Sequence, residues 1–225
     1  MAGRKFFLFE DTIPAHARPV YLPTGDRSLY VRSGSVDVVS ATASRFLWEG
    51  SAFTAREEVT LVAEDQDVVL WRWELADDAN AVSDDFAFRS APETTSTLKI
   101  AADLDLDDRY TWLMRLDTVT FPPGGEAFTH LHQGPGVRIT RDGEITIETE
   151  GTSRTYGPGS AWAEKGVLPV YASTTDASPT TFVRCFLLPA QNKGASSLRI
   201  VTPEDRGRVN TQKYRVLAER IMRPA

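Results

Sequence analysis

The 225-residue sequence predicts an all-β protein built from two copies of one β unit. Two observations carry this prediction. Short runs rich in Val, Ile, Thr and aromatic residues alternate with turns that contain Gly, Pro and Asp, and one pattern of residues recurs further along the chain. A 3.6-residue periodicity, which would indicate amphipathic helices, is scarce, so we expect few and short helices.

The predicted strands are bounded by turn-forming residues. They cover residues 28–31, 36–39, 59–62, 68–75, 110–121, 144–148 and 181–188. The dipeptide Asp142-Gly143 between two such runs predicts a β-hairpin, because Asp-Gly suits the positive φ angles of a tight hairpin turn. The segment Gln212–Met222 is compatible with a short helix or a closing strand, and a strand is the preferred interpretation.

The repeat is the most informative feature of the chain. Tyr30–Val38 aligns with Ile139–Ile147 at a distance of 109 residues, and Glu49–Phe53 falls on Pro158–Trp162 at the same distance without a gap. A register that holds across a strand, a turn and the next strand indicates two copies of about 100 residues, a normal domain size.

The organisation that follows is an N-terminal copy with its linker at residues 1–92 and a second copy at residues 93–225. The acidic, small-residue stretch Ala76–Thr97 is predicted to connect them. Arg72 and Arg184 occupy matching positions of the two copies, which favours a shared structural ion pair.

Composition and charge exclude several classes of protein. There are 25 Lys and Arg against 31 Asp and Glu, and this net charge of −6 argues against a nucleic acid or an anionic membrane as partner. Cys185 is the only cysteine, so an intrachain disulfide and a cysteine-rich zinc site are excluded. No apolar run approaches the ~18 residues of a membrane helix, and we expect a soluble cytoplasmic protein.

Two histidines of the second copy are the first candidates for chemistry. His130 and His132 are two residues apart on a predicted strand, so both side chains point to the same face and can reach one ion at about 2.1 Å. An isolated pair of this kind is more often structural than metal-binding. The third histidine of the chain, His16, lies outside the repeat.

The context of this pair resembles the cupin superfamily. Gly124 is followed by five residues and then His130-Leu131-His132, and Pro158-Gly159 comes later, as in the first and second cupin motifs. The resemblance implies a bicupin, that is, two double-stranded β-helix (jelly-roll) barrels in one chain. It also implies a divalent metal inside the second barrel, with His130 and His132 in ligand positions.

The sequence departs from the cupin pattern at several ligand positions. Gly136 stands where the first motif usually has a glutamate, and no histidine lies near Val170, where the second motif usually has one. In the first copy, the positions that match the two histidines are Tyr21 and Pro23, so we expect no metal there.

Glu164 is the best candidate for a third metal ligand. Strand alternation places Trp162 and Glu164 on one face, which the cupin alignment puts inside the barrel. Two histidines and a carboxylate would suit Fe, Mn, Zn or Ni, in the C-terminal barrel only. The other interpretation is a surface glutamate beside Lys165.

Arg138 faces inward by the same resemblance, and a buried guanidinium requires a partner. A bound carboxylate would satisfy it, which predicts a pocket for a small, acidic molecule with Arg138 and Glu164 as catalytic residues. The alternative is an Arg138–Glu164 salt bridge that replaces the metal site.

Two functions follow as hypotheses. The first is a metal-dependent cupin enzyme of the dioxygenase, isomerase or lyase type, acting on a small organic acid or oxygenated metabolite. The second is a small-molecule-binding or sensory bicupin without enzymatic activity and with a vestigial metal site. A homodimer is expected in either case, because cupin barrels bury sheet faces against one another.

Overall fold

The structure, a computed structural model, describes residues 2–222. This part of the chain forms two compact units, residues 2–109 and 110–222, and its regular structure is almost entirely β-strand. Its only helices are the 3-10 turns Ser83–Phe86, Ala190–Asn192 and Pro203–Asp205. None of them has the length or the apolar character that a membrane crossing requires. The all-β prediction with few helices is confirmed.

The first unit contains nine strands in two antiparallel sheets. The strands are β1 (Ala2–Ile13), β2 (Val20–Leu22), β3 (Arg27–Ser33), β4 (Ser35–Val39), β5 (Ser44–Trp48), β6 (Ala52–Ala55), β7 (Val59–Val62), β8 (Val68–Ala76) and β9 (Thr95–Leu106). One sheet has the order β6-β3-β8-β1-β9 and the other β2-β7-β4-β5. Apolar side chains from both sheets form its core.

The second unit repeats this arrangement. Its strands are β10 (Trp112–Phe121), β11 (Glu126–His132), β12 (Gly136–Asp142), β13 (Ile145–Thr149), β14 (Thr152–Tyr156), β15 (Ala161–Glu164), β16 (Val170–Thr174), β17 (Thr180–Pro189), β18 (Leu198–Ile200) and β19 (Lys213–Met222). The orders β15-β12-β17-β10-β19 and β14-β13-β16-β11-β18 match those of the first unit, with β18 added at one edge. The repeat therefore corresponds to two jelly-roll barrels. The segment Gln212–Met222, for which a strand was the preferred interpretation, forms β19.

The predicted hairpin at Asp142-Gly143 is wrong. The strands on either side pair in different sheets, β12 with β15 and β17, and β13 with β14 and β16. Gly143 has a φ of 72°, and a Cβ there would lie 2.6 Å from the carbonyl oxygen of Pro179. The turn therefore carries the chain from one sheet to the other, with no room for a side chain. The tight hairpin of this region is at Glu150-Gly151, where both residues have positive φ.

The division between the units also differs from the predicted one. The prediction ends the first copy at residue 92, whereas the compact units divide between Arg109 and Tyr110. The physical reason is β9, which follows the acidic stretch and pairs antiparallel along β1. Part of the predicted connector is thus an edge strand of the first sheet.

Buried arginines at matching positions of the two barrels are held by buried aspartates, as the repeat predicts. Arg72 Nε lies 2.6 Å from Asp11 Oδ2, and both side chains are fully buried. Arg184 makes two parallel hydrogen bonds to Asp117, at 2.9 and 3.1 Å. Such pairs are required because an isolated charge in a barrel interior is strongly destabilising.

Replacing Arg72 by Met tests whether the buried Arg72–Asp11 pair is required for stability. Removal of the guanidinium leaves the buried Asp11 without its cation, so we expect a loss of about 3–5 kcal/mol in the free energy of unfolding. Arg109→Met is the control, because the Arg109–Asp107 pair has an 83% exposed arginine and little effect is expected. Urea denaturation measures both, and equal stability of the two variants would contradict the argument.

Candidate functional site

A cavity of about 170 Å³ lies inside the second barrel. Much of its wall is apolar and belongs to the core of this unit. The rest of the wall is polar and includes the five candidates from the sequence of this copy, His130, His132, Arg138, Glu164 and Arg184. The other polar residues of the wall are Arg115, Asp117, Ser196, Ser197, Asn210, Gln212 and Tyr214.

The two histidines lie on β11 and point into the cavity, as the strand alternation predicts. Their rings are buried and their centroids are 4.8 Å apart. His130 Nδ1 lies 2.7 Å from the carbonyl oxygen of Phe128, and it must donate because a carbonyl can only accept. His132 Nδ1 lies 3.2 Å from the hydroxyl of Ser197. The Nε2 atom of His130 is therefore unprotonated in the neutral ring.

The surroundings keep both imidazoles neutral. Burial lowers the pKa of His130, and the charge of Glu164 only partly offsets this effect. Burial lowers the pKa of His132 well below its ordinary value, and the positive charges of Arg184 and Arg138 add to the effect. Both rings are consequently uncharged at neutral pH and present nitrogen atoms rather than charge to the cavity.

Glu164 lies inside the barrel and not on its surface. It ends the edge strand β15, where it is opposite Gly136 of β12. Its Oε1 accepts a hydrogen bond of 2.9 Å from Trp162 Nε1, and its Oε2 lies 2.7 Å from Arg138 Nη2. Of the interpretations left open by the sequence, the structure contains the Arg138–Glu164 salt bridge.

Gly136 explains how a long arginine fits here. A Cβ at this position would lie 2.8 Å from the ring of Phe186 and 3.2 Å from Arg138 Nη1. The residue that replaces the usual glutamate of the cupin motif therefore leaves space for the guanidinium. Its own carbonyl accepts a hydrogen bond of 2.6 Å from Arg138 Nη1.

The contact between Arg138 and Glu164 leaves hydrogen-bonding capacity unused. Arg138 Nη2 and Glu164 Oε2 are both buried and lie in contact, but the angle between them is not that of a hydrogen bond. Neither atom has another hydrogen-bond partner among the described residues. Burial lowers the pKa of Arg138 to about 10, which still leaves it charged at neutral pH. The pair thus offers one donor and one acceptor, side by side.

Sequence reasoning missed Asp117, Ser197 and the role of Phe186. The guanidinium of Arg184 lies 4.2 Å from the centroid of the Phe186 ring, and that of Arg138 lies 4.9 Å from it. The matching positions of Arg72 and Arg184 predicted an ion pair, but they did not identify Asp117 as the partner of Arg184. Asp117 and Ser197 come close only through pairing between distant segments, which no local pattern records.

The donor set does not fit a divalent metal. No group of three or more His, Cys, Asp or Glu side chains that could hold one ion occurs within residues 2–222. His132 Nε2 is 4.0 Å from Glu164 Oε2, whereas two neighbouring ligands of one ion at about 2.1 Å lie about 3.0–3.4 Å apart. The carboxylate is also neutralised by Arg138. Because Glu164 is paired with Arg138, it is not free to join His130 and His132 as a metal ligand in this arrangement. His16 lies in the first unit with an exposed side chain.

Comparison with known proteins identifies the fold. No protein-family model and no curated protein sequence matches the chain. Among solved structures, an oxalate decarboxylase variant from Bacillus subtilis is similar, with a TM-score of 0.58 and 12% identity over 83% of this chain and 72% of that one.

Two further structures extend this likeness. AerE from Microcystis aeruginosa has a TM-score of 0.57 and 10% identity over 80% of this chain and 87% of its own. Vicilin from Corylus avellana has a TM-score of 0.53 and 9% identity over 83% and 77%. The two jelly-roll barrels of the chain are therefore a bicupin fold.

Stability should depend on pH through the two histidines. Their pKa values are lower in the folded than in the unfolded chain, so the unfolded state binds more protons below the ordinary value of 6.5. We expect the free energy of unfolding to be fully present above about pH 6.5 and to decrease as the pH falls towards 5.

The double variant H130Q H132Q is the comparison, measured by urea denaturation at each pH. It should lose most of this dependence, because the carboxylates with lowered pKa values titrate well below this range. An equally steep decrease in the double variant would show that other groups are responsible.

Proposed function

We propose that the second barrel binds a small, mainly apolar molecule with one uncharged polar group, without the help of a metal. The observation that carries this proposal is the charge balance of the cavity. Each buried arginine of its wall has a carboxylate beside it: Arg138 has Glu164, Arg184 has Asp117, and Arg115 has Glu219 at 2.5 Å. A ligand with a net charge would find no compensation here.

The proposed polar anchor is the Arg138–Glu164 pair. A hydroxyl or amide group accepts a hydrogen bond from Nη2 and donates one to Oε2, so it uses both unpartnered atoms. The remainder of the ligand contacts the apolar wall, which includes Phe121, Ile145 and Ile147. The volume of about 170 Å³ is close to that of cavities that hold benzene, which indicates a ligand of roughly six to ten heavy atoms.

A metal-dependent enzyme is the second candidate. The Nδ1 contacts of His130 and His132 favour it, since such contacts orient the imidazoles that bind metals. It would require Arg138 to release Glu164. Under the first candidate, metal-free binding, the expected ligand is uncharged rather than acidic. The homodimer and the cytoplasmic location stay predictions.

Three molecules of nearly equal size test the proposal: benzamide, benzoate and benzylamine. Isothermal titration calorimetry with the full chain should show that benzamide binds about tenfold more tightly than either charged molecule. Dialysis against a chelator beforehand should leave its affinity unchanged. Tighter binding of benzoate, or loss of benzamide binding after chelation, would favour the metal-dependent alternative.

Glu164→Gln provides a matched variant. It retains an oxygen that accepts from Trp162 but removes the charge that compensates Arg138, so the preference should shift from benzamide towards benzoate. Near-ultraviolet circular dichroism serves as the folding control. An unchanged order of affinities in a folded variant would contradict the role of this pair.

A further inference from the structure

The first barrel contains its own cavity, of about 470 Å³, at the place that corresponds to the site of the second barrel. In the second barrel, Gly136 pairs with Phe186 on one side and with Glu164 on the other. In the first barrel, Arg27 occupies the equivalent position of β3, between Glu74 of β8 and Ala55 of β6. The side chains have changed, but the position in the fold is the same.

Arg27 lines this cavity and has a buried donor without a hydrogen-bond partner among the described residues. Its side chain is 3% exposed, and its Nε lies 2.9 Å from Glu74 Oε1. Its Nη1 atom is buried and makes no hydrogen bond to any described residue. Because a buried N–H requires an acceptor, this atom is suited to an oxygen atom of a ligand.

The cavity wall carries more negatively than positively charged side chains. Five carboxylates and three guanidinium groups line it. The buried Arg27 and Arg72 both contact Glu74, and Arg72 also pairs with the buried Asp11. The partly exposed Arg56 pairs with Asp26 at 3.1 Å. The excess of negative charge lies elsewhere on the wall.

This excess is formed by three exposed carboxylates, Asp77, Asp78 and Asp85. Asp77 contacts Arg4, but Arg4 also pairs with Asp108. Asp78 and Asp85 accept hydrogen bonds from backbone N–H groups, which do not neutralise them. The exposed part of the wall therefore attracts a cation.

We propose that the first barrel binds a small, polar amine that also carries a hydroxyl or carbonyl oxygen. The oxygen accepts a hydrogen bond from Arg27 Nη1, and the ammonium group lies among Asp77, Asp78 and Asp85. Since Arg27 is already compensated by Glu74, an uncharged oxygen is sufficient, and a carboxylate on the ligand is repelled by the aspartates. This site does not depend on the function proposed for the second barrel.

Three sugars of one shape test this assignment: glucosamine, glucose and glucuronate, which differ in charge. Calorimetric titration of the full chain should show the tightest binding for the cationic glucosamine, weaker binding for glucose and none for glucuronate. Asp78→Asn and Asp85→Asn keep the oxygen that accepts the backbone hydrogen bond and remove one charge. Each should weaken glucosamine about fivefold and leave glucose unchanged.

Arg27→Lys tests the buried end of the site. Lysine keeps a positive charge beside Glu74 but lacks the Nη1 donor, so binding of both glucosamine and glucose should be lost. Glu49→Gln, at an exposed carboxylate of the same unit that is not part of the cavity wall, is the control and should bind glucosamine and glucose as the wild type does. The two aspartate variants keep the proposal testable if Arg27→Lys does not fold, because both aspartates are exposed.

Three results would overturn the proposal. The first is glucuronate binding as tightly as glucosamine, or no measurable binding of glucosamine. The second is unchanged glucosamine affinity in both aspartate variants. The third is a loss of sugar binding in Glu49→Gln.

Discussion

The structure depends on one constraint, which is that a charge inside a β-barrel must be compensated within a few ångströms. Both barrels contain fully buried arginines, and each of these arginines lies beside a carboxylate. Arg72 and Arg184 satisfy the constraint in the same way in the two copies, through Asp11 and Asp117. The cost of leaving either charge unpaired explains why such pairs form part of the core rather than of the surface.

The same constraint determines what the second barrel can hold. Two neutral histidines and a glutamate resemble a metal-ligand set when they are considered without their neighbours. Arg138 changes this, because it takes the negative charge of Glu164 and places its own positive charge near the imidazoles. A divalent cation would have to compete with a guanidinium that is already in contact. Gly136, which leaves room for the guanidinium, and Arg138, which pairs with Glu164, together produce this arrangement of charge.

The sequence predicted the strands and the repeat well because these depend on local patterns. Residues 59–62 form β7 with the predicted bounds, and the strand that contains His130 and His132 directs both inward. The hairpin at Asp142-Gly143 was wrong because a glycine with positive φ serves equally in a tight hairpin and in a crossing between sheets. Local turn chemistry does not distinguish the two.

The candidate site was predictable only in part for a related reason. Strand alternation and the cupin resemblance placed Glu164 inside, but the choice between a metal and Arg138 as its partner depends on distances between strands. Ser197 and Asp117 reach the cavity through pairing between distant segments, and the cavity of the first barrel is defined by residues that matched no ligand motif. The partner of Glu164 and the residues that line the two cavities are determined by pairing between distant segments, which residue patterns do not show.

Binding of Mn²⁺ to the wild type and to Arg138→Met, measured by calorimetry, tests most directly whether Arg138 occupies the place of a metal. The wild type should show no saturable binding below about 1 mM, and the variant, with Glu164 released beside His130 and His132, should bind at least about tenfold more tightly. Stoichiometric binding to the wild type below about 10 μM, unaffected or weakened by the substitution, would contradict the account.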